Sequence, residues 1–75
     1  MRMKWKRLDT DLWAAWRNGY RIVIRRTDTS NRYYWVLYED IEHLKDGVTS
    51  DLKVAMQNAE YSYARMRRTH NYSNR

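Results

Sequence analysis

The chain contains no cysteine, so disulfides, thiolate metal sites and cysteine nucleophiles are all excluded. It contains no proline and only two glycines, which leaves few strong punctuation marks along its 75 residues. Phenylalanine is also missing, yet there are four Trp and seven Tyr. Those rings carry polar tips and suit half-buried positions and interfaces better than a sealed core. No apolar run approaches the roughly 18 residues that a membrane span requires. The N-terminal MRMKWKRLDTD is basic but lacks the apolar stretch of a signal peptide. These absences predict a cytoplasmic protein that does not engage a membrane. A chain this short makes one domain with a modest core, and oligomerisation is one common way to reinforce it.

Motifs that carry chemistry are missing as well. There is no glycine-rich phosphate loop, no nucleophile elbow and no HExxH. His43 and His70 have no partners at metal-ligand spacing, and Glu39, Asp40, Glu42 and Asp46 do not follow a calcium-loop pattern. The acidic run reads as a solvated connection. The expectation is a protein that is not an enzyme and takes no cofactor and no metal.

What is present is charge, unevenly spread around a net +6. Residues 1–26 hold eight Lys/Arg against two Asp, residues 27–51 two against six acids, and residues 52–75 five against one. Basic ends raise the local concentration of anions and the affinity for nucleic acid. The same charge also serves solubility.

Asn18-Gly19 lies between LWAAWR and YRIVIRR. Asn-Gly flanked by apolar alternation signals a type I′ hairpin, because both central residues need positive φ. The competing reading makes Leu12–Arg17 a short helix capped by Asp9 or Asp11, with Gly19 at its end. The strand reading gives Ile22, Val23 and Ile24 a partner. A further strand, RYYWVLYE, returns after the turn formers Asp28-Thr29-Ser30-Asn31. Residues 1–7 alternate Met1, Met3 and Trp5 with basic residues and read as an edge strand. Gly47, in Lys45-Asp46-Gly47, reads as a boundary.

The two turns set the register. They pair Arg17 with Tyr20, Ala15 with Ile22 and Trp13 with Ile24, then Thr27 with Arg32, Ile24 with Trp35 and Ile22 with Leu37. Alternation puts Trp13, Ala15, Tyr20, Ile22, Ile24, Trp35 and Leu37 on one face, the core. Leu12, Ala14, Trp16, Arg21, Val23, Arg25, Tyr34, Val36 and Tyr38 fall on the other. Thr49-Ser50-Asp51 offers a helix cap, and Leu52, Ala55, Met56, Ala59, Tyr63 and Met66 then recur at helical spacing. The predicted fold is α+β: a three-stranded antiparallel sheet, with the N-terminal segment as a fourth strand, packed by one C-terminal helix. The sheet is expected over about residues 3–44, the helix over about 51–68 and a mobile tail over 69–75.

The non-core face is the candidate site. Register places Arg21 opposite Tyr38 and Arg25 opposite Tyr34, within cation–π reach. With Trp16 these residues could stack bases and neutralise phosphates, extended by Lys4, Lys6, Arg65 and Arg68. The alternatives are arginine stems that merely shield tyrosine rings, or a hot spot for a host protein. Val54 and Tyr61, seven apart on the helix side away from the core stripe, are candidates for a homodimer seam.

The run GYRIVIRR…RYYWVLYED…VTSDLKVAMQNAEYSYA, strands and then an alanine-bearing capped helix, resembles the small N-terminal domain of phage tyrosine integrases. It is also similar to short phage-encoded proteins with Trp-rich strands and an LxxAxxxAE helix. The resemblance covers about residues 13–64 and implies a sheet laid in a DNA groove, with Arg21, Arg25, Tyr34 and Tyr38 facing the DNA. Integrases carry a catalytic domain behind this one, and none is expected here. The expected function is therefore a small basic phage-type accessory module that binds nucleic acid. Its alternative is an anti-defence inhibitor or adaptor that binds a host protein through the same face.

Overall fold

The computed structural model describes residues 3–27 and 31–73, with side chains as far as Met66. Five strands are followed by one helix: β1 (Trp5–Asp9), β2 (Leu12–Arg17), β3 (Tyr20–Arg26), β4 (Tyr33–Glu39), β5 (Glu42–Thr49) and α1 (Leu52–Ser73). The strands form a single antiparallel sheet in chain order, a meander with β1 and β5 at its edges. Each strand pairs with its sequence neighbour, so contacts are local and no crossover is needed.

The turn chemistry acts where the sequence places it. Asn18 and Gly19 have φ of 53° and 83°, the positive pair that a type I′ turn demands. Leu12–Arg17 is therefore a strand, and the helical alternative is excluded. The β2–β3 and β3–β4 registers match the expected pairs, including Trp13 with Ile24, Ile24 with Trp35 and Ile22 with Leu37. Thr27 N–H donates to the Arg32 carbonyl at 2.8 Å, which closes the second hairpin. Asp28, Thr29 and Ser30 of that turn lie outside the described residues.

Several expectations are corrected. The sheet has five strands, not three or four, and continues to Thr49 beyond the expected limit near residue 44. The stretch read as a solvated acidic connection contains β5. Its period-2 signal is broken by an irregularity: Leu37 pairs with Lys45 but Tyr38 pairs with His43, so Leu44 is an extra residue. Gly47 is not a boundary but lies inside β5, opposite Trp35. A Cβ at this position would sit 2.6–2.8 Å from the Trp35 indole, so glycine lets the ring lie on the backbone. At the other edge, β1 begins at Trp5; Met1 and Arg2 of the expected 1–7 segment lie outside the described residues.

The core sits between the sheet and α1. Met3, Ala15, Tyr20, Ile22, Ile24, Trp35, Leu37, Ala55, Ala59 and Tyr63 are buried together. Ala55 and Ala59 have no exposure, and their small size brings the helix close to β3, β4 and β5. The start of α1 is fixed by Asp51: its Oδ1 accepts from Lys53 N–H at 2.9 Å, and its carbonyl accepts from Ala55 N–H at 3.0 Å. The helix runs to Ser73, into the stretch expected to be a tail, because THNYS contains neither Gly nor Pro to stop it. Residues 74 and 75 lie outside the described residues.

Polar ties lock the layers together. Glu60 Oε2 accepts from the Trp5 indole N–H at 2.7 Å and from Met3 N–H at 3.2 Å, joining the start of the sheet to the helix. Buried Tyr63 meets Tyr20 edge-on at 5.2 Å, and its hydroxyl accepts from Asn18 Nδ2 at 3.0 Å. The same Asn18 makes the first turn, so one residue sets the hairpin and anchors the helix over it. Among the described residues, no helix is long and apolar enough to cross a membrane.

Candidate binding face

The helix covers one face of the sheet, and among the described residues no element covers the other. Strand register arranges the open face as three rows running across the strands. The first is Trp16–Arg21–Tyr38–His43. The middle row is Lys6–Ala14–Val23–Val36–Asp46, and the third is Asp9–Leu12–Arg25–Tyr34–Val48. Rows are about 6.6 Å apart, two strand residues. Small apolar residues fill the centre and larger ones stand on both sides. Ala14 and Val36 are only 1% and 7% exposed although no described element packs on this face, because their taller neighbours shield them.

The first row holds the most organised groups. The Arg21 guanidinium lies 4.4 Å from the centre of the Tyr38 ring, the cation–π contact that register predicts. Tyr38 in turn meets His43 at 5.9 Å, and His43 Nε2 donates to Asp46 Oδ2 at 2.9 Å. Arg21 is half-buried, and its Nε has no hydrogen-bond partner. At the end of the row Trp16 is 53% exposed, with no ring or hydrogen-bond partner among the described residues. The row therefore presents an open indole beside a cation already held in place.

The other paired contact does not form. Arg25 and Tyr34 are opposite in register, but no cation–π contact joins them. Register sets the Cα pairing and leaves a long side chain free to choose its direction. Arg25 is exposed and makes no hydrogen bond or ion pair among the described residues.

The sheet is electrically polarised. Residues 4–26, which contain β1–β3, carry seven Lys/Arg against two Asp, whereas residues 32–51 carry two against five acids. The basic half includes Lys6, Arg21 and Arg25 on the open face, and exposed Lys4 precedes β1. Arg26 is partly neutralised by Asp11 at 3.6 Å, and Arg7 donates to the Thr10 carbonyl at 2.8 Å.

Of the residues singled out from the sequence, Trp16, Arg21, Arg25, Tyr34 and Tyr38 share this face, with Lys6 at its end. Arg65 does not join them, because it lies on α1 on the far side of the sheet. There it donates to the Tyr61 hydroxyl at 3.2 Å. The Arg68 side chain lies outside the described residues. Val54 and Tyr61 are both exposed on the helix. Sequence reasoning missed His43, Asp46 and Val48, which join the face only once β5 is recognised as a strand. Among the described residues, no group of three or more His, Cys, Asp or Glu is placed to hold a metal ion.

Comparison with protein-family models, with curated proteins and with solved structures finds no match to this chain.

Proposed function

We infer that this chain is a non-enzymatic binding module, an accessory protein of the kind phages encode, that takes nucleic acid on its open sheet face. The observation that carries this reading is the first row, where exposed Trp16 stands beside an Arg21 held against Tyr38. An indole beside a fixed guanidinium offers a stacking surface for an unpaired base and a cation for the adjoining phosphate. Arg25 and Lys6 add two more cations on the same half of the sheet. Arg21 and Arg25 are four residues apart on one strand, about 13 Å, close to the major-groove width of about 12 Å. The acidic β4–β5 half repels phosphate, so the footprint covers β1–β3.

The test is fluorescence anisotropy with single-stranded and duplex oligonucleotides over a salt series. Three phosphate contacts give a slope of log K against log salt of about −2 for single strands and about −2.7 for duplex. Arg21→Ala with Arg25→Ala should reduce that slope by about 1.4 to 1.8. Binding weaker than about 10 µM at low salt, or independent of salt, rejects the reading.

One observation favours a second reading, a host protein as partner. The middle row is apolar at its centre, Ala14, Val23 and Val36, and the β5 end carries the His43–Asp46 pair, where a phosphate backbone is unwelcome. An apolar centre with Trp, Tyr and Arg around it has the composition of a protein-binding hot spot. Capture of a specific protein that survives nuclease treatment, and is lost in Trp16→Ala, would favour this reading over the first.

A further inference from the structure

On the opposite side of the sheet from the open face, β5 and the middle of α1 form a cleft of about 330 Å³ lined by Lys45, Tyr61, Ser62, Arg65 and Met66. We propose that this cleft binds the phosphate group of a small phosphate monoester. It is separate from the nucleic-acid reading, since none of its residues lies on the open face.

The irregularity at Leu44 returns Lys45 to register with Leu37, whose side chain faces the helix. Without that extra residue, Lys45 would project from the open face. It instead lines the cleft opposite Arg65. Neither cation has a carboxylate partner among the described residues, and no carboxylate lines the cleft. Two like charges facing one space repel each other unless an anion sits between them.

The donor set favours phosphate over a carboxylate. Arg65 brings a planar fork, Lys45 a point charge and Ser62 a hydroxyl, and a phosphate monoester offers three acceptor oxygens and a charge near −2. Arg65 is already oriented by its hydrogen bond to Tyr61 one helical turn earlier, with its guanidinium 5.7 Å from that ring. Preorganisation of this kind lowers the cost of binding. The Tyr61 ring and Met66 form the apolar wall that an organic group on the ester would contact. The volume lies at the small end of known ligand sites, which suits a molecule of mononucleotide size.

The test is a proton–nitrogen NMR titration of the full chain with adenosine monophosphate, with adenosine as the control that lacks the phosphate. The expected result is saturable shifts at Lys45, Ser62 and Arg65 at about millimolar ligand, absent with adenosine. Lys45→Gln and Arg65→Gln, both at exposed positions, should each weaken binding by about fivefold or more while the rest of the spectrum is retained. Comparing a short oligonucleotide with and without a 5′-phosphate identifies the source. A gain from the 5′-phosphate assigns the group to a strand end, and no gain assigns it to the free ester. No saturable shift at these residues up to about 10 mM overturns the proposal, as do shifts unchanged by both substitutions. Loss of oligonucleotide binding in Arg21→Ala with Arg25→Ala leaves these shifts in place, so the two readings fail independently.

Discussion

Substituting Gly47→Ala isolates the least expected element of the fold. In an exposed loop the change is harmless, and in a strand without a close neighbour it helps by roughly 0.5–1 kcal/mol through reduced chain entropy. Here the added Cβ would come within 2.6–2.8 Å of the Nε1, Cε2 and Cζ2 atoms of Trp35. The neighbour is a rigid indole, 5% exposed, and not the tip of a flexible chain. Overpacking costs about 1–3 kcal/mol, and a contact this short against a rigid ring lies at the upper end, so after the entropy gain the net loss is about 2 kcal/mol. For a domain of this size that corresponds to a Tm lower by roughly 8–16 °C. Thermal unfolding followed by circular dichroism reads the shift, and tryptophan fluorescence reports the displaced ring. The clash also predicts coupling: in a Trp35→Leu background, Gly47→Ala should cost less than half as much. A Tm unchanged by Gly47→Ala, or an equal cost in both backgrounds, would refute the placement of β5 beneath Trp35.

Other substitutions probe the ties between the layers. Glu60→Ala removes the acceptor shared by Trp5 and Met3, and should cost about 1.5–3 kcal/mol in denaturant unfolding while hydrogen exchange speeds up first in β1. Asp51→Ala removes the helix cap and should cost about 1 kcal/mol, visible as a lower urea midpoint with an unchanged m-value.

The parts of the fold legible in the sequence were those with strong local signals. Asn18-Gly19 dictated its turn, and alternation from that turn placed Trp13, Ile22, Ile24, Trp35 and Leu37 on one face. The helical stripe from Leu52 to Met66 was equally plain, because Ala55, Ala59 and Tyr63 recur at the right spacing beneath a capping aspartate. β5 was hidden for three physical reasons. It is an edge strand with mostly exposed residues, Leu44 interrupts its alternation, and its glycine imitates a turn. The candidate site was readable as a set of residues on one face but not as a geometry. Alternation grouped Trp16, Arg21, Arg25, Tyr34 and Tyr38, yet only the Arg21–Tyr38 contact formed. Arg65 carries the right charge for the open face, but a helix packed on one side of a sheet cannot deliver a mid-helix side chain to the other.

On the proposed reading, nucleic acid sits on the basic half of the open face. Chemical-shift mapping with a short single-stranded oligonucleotide tests it most directly. Perturbations should gather on Lys6, Trp16, Arg21 and Arg25, weaken with added salt and disappear in Trp16→Ala with Arg21→Ala. Perturbations confined to the helix, or none on β1–β3 at low salt, would contradict it.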